Sequence, residues 1–391
     1  MPDNDPPLRP VSLALWNFSS LWFVAPQGIS IVAVLLHQLH YQFDALPILA
    51  KIVWIYAIVF LGTALILYLL RIFLYPNHVL REIRDNIVEA SCLSSFPIAF
   101  TSITQMIVLQ YASPGAELTA YVLWWFCTAL ALAAVIAVPY LQLKMQPSGI
   151  EHIPPGFLLP VISILTSAAG GGTICEITTT LSPRLRVPVI IVSYMEVGAG
   201  VGLAICIDAC IIYHHFDQTY PTRDKAYQDM ILCGPFGQAA FALQILGMAV
   251  QRNFGPYAQG VLLTEQAATP IAVVSELVGL LAWGFATFWW LLAILSIVYT
   301  LRRQSGGWRG MSFSLSAWSL VFPWGVYTNA AVQLGKLMDS PAFHVWSTVL
   351  LLLLLVIAVV VNLFTVKNLI TGTILGLERG WRVPKNKQQM V

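Results

Sequence analysis

The chain has 391 residues, of which 58% are hydrophobic and only 10% charged, with a formal net charge of +2. Soluble domains carry roughly 25% charged residues, so a chain this poor in charge has too little to cover a water-facing surface. That small net charge offers nothing to a nucleic acid, whereas apolar runs of twenty or more residues suit about 30 Å of hydrocarbon and predict an all-α membrane protein.

In chain order, residues 1–15 are polar and proline-rich, with no basic stretch before a short apolar core. They read as a cytoplasmic N-terminal segment rather than a cleaved signal peptide. Windows of about 19 residues then predict ten spans. These lie at 16–37, 51–74, 91–111, 118–143, 157–182, 188–213, 228–251, 269–300, 311–338 and 342–366, the third and seventh being the least hydrophobic. The loops are short, so 16–366 forms one ten-helix domain, followed by a cytoplasmic tail at 367–391. With Leu375, Leu377 and Trp381 among basic residues, that tail either lies along the membrane surface or is disordered. Ten spans put fifteen Lys and Arg on the side shared by both termini and five on the other. The asymmetry predicts both termini in the cytoplasm. The sequon Asn17-Phe18-Ser19 then sits at the cytoplasmic start of the first span and is expected to carry no sugar. Cys92, Cys127, Cys175, Cys206, Cys210 and Cys233 fall in or at the ends of apolar segments, where buried thiols are expected, and their spacing suggests no metal.

Proline divides the spans into two kinds. Each odd span has one in its interior (Pro26, Pro97, Pro160, Pro235 and Pro323), whereas even spans have proline near an end (Pro139, Pro188, Pro270) or not at all. An interior proline removes a backbone donor and is expected to kink its helix. Hydroxyls divide the same way, with 22 Ser and Thr in odd spans against 12 in even ones; the seventh span has none and carries Gln238 and Gln244 instead. The pattern predicts five helical hairpins in which odd helices line a central path and even helices wrap them. The same hydroxyls also suit interhelical bonds alone. Glycines accompany the odd spans at Gly28, Gly170–172, Gly234, Gly237 and Gly325. The triple run either loosens the fifth helix or packs it tightly.

Carboxylates within spans are few (Glu176, Glu196, Asp208 and Glu276) and form no acidic cluster of the kind a divalent cation needs. Lys336, near the far end of the ninth span, either attracts an anion or reaches for the interface. A path lined by hydroxyls, amides and aromatic rims, with almost no fixed charge, suits a small anion that binds weakly and leaves. His214-His215 and Glu176 offer no catalytic set, and neither an HExxH motif nor an ATP-binding motif is present, so no enzyme activity and no cofactor are expected.

Several motifs then resemble one family from end to end. They are Trp22-Phe23 with Gly28; Ser95-Phe96-Pro97 with Phe100; Trp124-Trp125; Leu159-Pro160 before Ala168-Ala169-Gly170-Gly171-Gly172; and Gly234-Pro235-Phe236-Gly237-Gln238 with Gln244-Ile245-Leu246-Gly247. The ninth span adds Phe313-Ser314-Leu315-Ser316-Ala317-Trp318, Phe322-Pro323-Trp324-Gly325 and Gln333-Leu334-Gly335-Lys336. Their order resembles the tellurite-resistance/dicarboxylate transporter family, which includes the plant slow anion channels, and most of all its fungal sulfite exporters. The resemblance implies five hairpins around a central pore, in a homotrimer with one pore per subunit. It also implies a phenylalanine of the ninth helix occluding that pore: by motif position Phe313, then Phe322, with Phe23, Phe96 and Phe236 as further candidates. Pro26, Gly28, Pro97, Pro160, Gly171, Pro235, Gln238, Ser316 and Pro323 are expected to line or hinge the path. The chain departs from the family pattern in the first span, where Pro26-Gln27-Gly28-Ile29-Ser30 replaces Met-Gly-Thr-Gly, and at Ala317, where a second tryptophan is usual.

The expected function is efflux of sulfite or hydrogensulfite across the fungal plasma membrane. Malate or another dicarboxylate, and chloride or nitrate, are the alternatives on the same fold. A potential negative inside drives an anion outward by about 2.3 kcal/mol per charge per 100 mV, so export needs no ATP.

Overall fold

A computed structural model of the chain describes residues 9–145, 153–217, 223–303, 313–377 and 380–381. Its helices are α1 Pro10–Trp16, α2 Val24–Gln38, α3 Leu46–Leu74, α4 Pro76–Asp85, α5 Ile87–Cys92, α6 Ser95–Gln110 and α7 Pro114–Met145. There follow α8 Leu159–Ile177, α9 Pro183–Asp217, α10 Cys233–Tyr257, α11 Glu265–Arg303, α12 Val321–Leu337 and α13 Pro341–Thr371. The described residues contain no β-strand beyond one isolated bridge, Gln259 to Leu263.

Among the described residues nine helical segments are long and apolar enough to cross a membrane. The segment expected as the ninth span is not one of them: α12 has 17 residues and includes Asn329, Gln333 and Lys336. Burial accounts for that polarity, since every residue from Val321 to Gly335 is buried. A helix shielded by protein needs no lipid-compatible surface. The same relation holds elsewhere. Segments 20–38, 87–110, 155–177 and 227–257 have mean hydropathy of 1.4 to 1.6 and are 72 to 100% buried. The other five have mean hydropathy of 1.9 to 3.2 and are at most 33% buried, exposing Ile66, Ile136, Met195, Leu281 and Val356.

The buried helices pack in a closed order: α2 on α6, α6 on α8, α8 on α10, α10 on α12, and α12 back on α2. Around them α3 packs on α2, α7 on α6 and α8, α9 on α8 and α10, α11 on α10, and α13 on α12.

The prolines take a role different from the one expected. Pro26, Pro97, Pro235 and Pro323 are each the third residue of their α-helix, and Pro160 is the second of its own. There the missing N–H would have no α-helical acceptor, so proline starts these helices without breaking one. A short 3-10 segment precedes four of them, at Ser20–Phe23, Pro155–Leu158, Arg223–Leu232 and Leu315–Leu320; α5 precedes α6. The predicted mid-helix kink is thus a junction between two helical segments.

Close helix contacts rest on absent side chains. A Cβ on Gly171 would lie 2.3 Å from Ser193 Oγ and 2.9 Å from the buried Trp124 ring, so this glycine seats α8 against α7 and α9. Gly170 meets Thr101 of α6 and Gly172 meets Ile245 of α10, so the triple-glycine run serves close packing on three sides.

An ion pair ties the first three buried and outer segments together. Arg71 Nη1 donates to Glu89 Oε1 at 2.6 Å, with the two side chains only 3% and 5% exposed. The Tyr68 hydroxyl donates to the same oxygen, the Ser20 N–H donates to Oε2 at 3.0 Å, and Ser20 Oγ donates to the Glu89 carbonyl. Asn86 Oδ1 accepts from the backbone N–H groups of Val88 and Glu89, capping α5.

The chain ends meet. Asn17 Nδ2 donates to the Leu375 carbonyl at 2.8 Å, Leu375 and Leu377 are buried, and Trp381 Nε1 donates to the Leu369 carbonyl. Residues 373–377 therefore dock on the protein; 378–379 and 382–391, including Arg382, Lys385 and Lys387, lie outside the described residues. Four of the six cysteines are buried as expected, but Cys206 is exposed and Cys210 half-buried on the outer helix α9.

Two outcomes follow for stability. Gly171→Ala should lower the thermal unfolding midpoint in detergent, by an overpacking cost of about 1–3 kcal/mol. Glu89→Ala leaves Arg71 buried without its partner and should cost about 3–5 kcal/mol, read in the same unfolding experiment.

Candidate functional site

The starts of all five buried segments converge on one small cavity of about 30 Å³. Val24 and Gln27 reach it from α2, Val88 and Cys92 from α5, and Gly156 and Leu159 from the entry to α8. Gln228 and Ile231 come from the turn before α10, and Ser316, Trp318, Ser319, Phe322 and Pro323 from the entry to α12. Among the described residues no charged side chain lines the cavity; the polar lining side chains are the amides of Gln27 and Gln228, the hydroxyls of Ser316 and Ser319, the Cys92 thiol and the Trp318 indole. The first turns of α2, α8 and α12 line it, each where a 3-10 segment hands over to the α-helix.

Phe322 is 1% exposed and lines the cavity. The other phenylalanine candidates turn elsewhere. Phe313 stacks on Phe364 of α13 at 5.7 Å, and Phe236 meets Phe285 of α11 edge-on at 4.5 Å. Phe23 lies between Tyr68 of α3 and Phe96, and Phe96 stacks on Phe100. Of the residues expected to line or hinge a path, Ser316 and Pro323 line the cavity. Pro26, Pro97, Pro160 and Pro235 stand in the corresponding first turns of their helices. Gly28 holds α2 against α12, since a Cβ there would lie 3.0 Å from the Trp318 ring. Gly171 faces α7 and α9, and Gln238 is buried on α10.

Among the described residues each ring helix holds a buried polar atom without a hydrogen-bond partner, as do the outer helices α7, α9, α11 and α13. These include Gln27 Oε1 on α2, Ser95 Oγ on α6, Ser163 Oγ on α8, Gln238 Oε1 and both amide atoms of Gln244 on α10, and Asn329 Oδ1 on α12. Unpaired buried polar groups are costly and in membrane proteins mark wet or ligand-bearing interiors. Gln27, Ser319 and Gln228 were not expected at the site. The departure at Pro26-Gln27-Gly28 was the signal available for the first of these.

The charged groups within spans lie apart from the cavity lining. Arg252 Nη1 donates to the Glu176 carbonyl, and its Nε is 3.5 Å from Glu176 Oε1. Glu196 and Asp208 are buried on the outer helix α9. Lys336 is exposed at the C-terminal end of α12, whereas the cavity adjoins that helix's N-terminal end.

With this arrangement in view, comparison with known proteins gives a consistent result. The family described as SLAC1, voltage-dependent anion channel, matches residues 17–366. The sulfite efflux pump of Arthroderma benhamiae is 28% identical over 340 residues, covering 86% of each chain. That of Trichophyton rubrum is 27% identical over the same share of each chain. A malic acid transport protein of Schizosaccharomyces pombe is 19% identical over 349 residues, 88% of this chain and 76% of its own. The chain therefore belongs to the SLAC1, or tellurite-resistance/dicarboxylate transporter, family and is a multi-pass helical membrane protein that transports small anions.

Proposed function

We propose that the chain exports sulfite and hydrogensulfite from the cytosol across a fungal plasma membrane, as a homotrimer with one pore in each subunit. In this reading α12 and the turn before it form a tenth crossing, and five hairpins surround the pore. The buried helices line that pore, the outer helices face lipid or neighbouring subunits, and both termini are cytoplasmic. The observation that carries the reading is the convergence of five buried helix starts on one uncharged cavity with Phe322 in its wall. Anions entering there meet the amides of Gln27 and Gln228 and the hydroxyls of Ser316 and Ser319 in place of bulk water. An apolar ring at that point acts as a gate by raising the desolvation cost of passage.

Sulfite is favoured over malate by the wall itself. A dicarboxylate calls for paired cationic groups, and among the described residues the cavity lining has none. The two fungal sulfite pumps also exceed the malic acid transport protein in identity.

Purified protein in liposomes should conduct sulfite in an assay that compares sulfite, malate, nitrate and chloride. Phe322→Ala should raise the flux about tenfold, the factor that ~1.4 kcal/mol off a barrier supplies, while Phe313→Ala should change it little. Malate flux without sulfite flux would overturn the substrate assignment.

A further inference from the structure

Gln27 is the fourth residue of α2, is 1% exposed, and lines the cavity. Its carbonyl oxygen Oε1 has no hydrogen-bond partner among the described residues. A buried amide oxygen can only accept, and leaving it unpaired costs free energy comparable to a lost hydrogen bond. Chloride, nitrate and fully ionised sulfite have no proton to offer it; they present negative charge to a negative atom. A monoprotonated oxyanion differs. In its hydroxyl form hydrogensulfite donates O–H to Oε1 while its anionic oxygens accept from Nε2 of the same amide.

Resting on the sulfite reading above, we propose that Gln27 is the specificity residue of this cavity and selects a monoprotonated oxyanion, hydrogensulfite, over the sulfite dianion, nitrate and halide. The physical basis is the asymmetry of hydrogen-bond readout. A site built to accept a substrate's hydroxyl proton rejects an analogue lacking it, because its own polar atom stays unpaired.

The proton measured in a pH series would be the substrate's. Among the described lining residues Cys92 is the one titratable side chain. Glu89, one turn before it, is paired with Arg71, and Asp229, beside Gln228, accepts from Ser296 Oγ at 2.5 Å.

The test is sulfite flux at constant total sulfite in liposomes holding the full-length protein, across a pH series that brackets sulfite's second ionisation near neutrality. Nitrate flux is measured in the same vesicles. In the unaltered protein sulfite flux should fall about tenfold per pH unit on the alkaline side, following the hydrogensulfite fraction, while nitrate flux stays level. Gln27→Met keeps the side-chain length and removes the acceptor. It should lower the sulfite-to-nitrate flux ratio by about tenfold or more. Size-exclusion elution and the unfolding midpoint report whether the variant is folded, and the profile of the unaltered protein needs no variant. Sulfite flux that follows the dianion or ignores pH, or an unchanged ratio in folded Gln27→Met, would overturn the role of Gln27 while leaving sulfite export intact. Absence of sulfite flux at every pH would overturn both.

Discussion

Closure of the five-helix ring depends on how near two backbones come at one seam. A Cβ on Gly237 of α10 would lie 3.0 Å from the Tyr327 backbone nitrogen and 3.2 Å from its Cα on α12. No flexible side chain can yield there, since the obstacle is main chain. On the other side of α12, Gly28 and Gly325 admit Trp318 and Ile31. These contacts bury α12 from Val321 to Gly335, which shields Thr328, Asn329 and Gln333 within the bundle. They also gather the five helix starts around a single cavity.

That geometry sets the electrostatics. Among the described residues the cavity has no lining charge, so in the proposed function an anion would be held by neutral amides and hydroxyls. Binding by dipoles is weaker than binding by an arginine, and weak binding lets a solute leave as readily as it enters. The strong charges are kept elsewhere. Arg71 and Glu89 neutralise each other beside the helix starts, and Glu176 with Arg252 closes the opposite end of α8. The buried pair is held in place by Ser20 and Tyr68 as well as by its own charge, which fixes three segments at one corner.

Much of the architecture was legible in the residues. Proline and hydroxyl content separated the odd segments from the even ones, and the two sets differ in burial as that division implied. Proline marked the right residues for a different reason: sequence gives its position in a span, whereas its effect depends on where the 3-10 segment hands over to the α-helix. The expected ninth span was the hardest segment. Its polarity makes sense only once its neighbours are known to cover it. Among the phenylalanines, motif order put Phe313 before Phe322, yet Phe313 stacks on the outer helix α13 and Phe322 lines the cavity. Periodicity cannot decide between two faces that are both apolar. Gln27 was visible as a departure from the family pattern, but only burial without a partner gives its oxygen chemical meaning.

The central claim is that anions pass through the cavity where the five helix starts meet. Filling that space is the most direct test, and Ser316 lines it from the turn before α12. Anion flux should be measured for Ser316→Trp in liposomes, with the unfolding midpoint recorded beside it. A folded Ser316→Trp variant should show flux at the level of protein-free vesicles. Undiminished flux from that folded variant would contradict it and put the path elsewhere in the bundle.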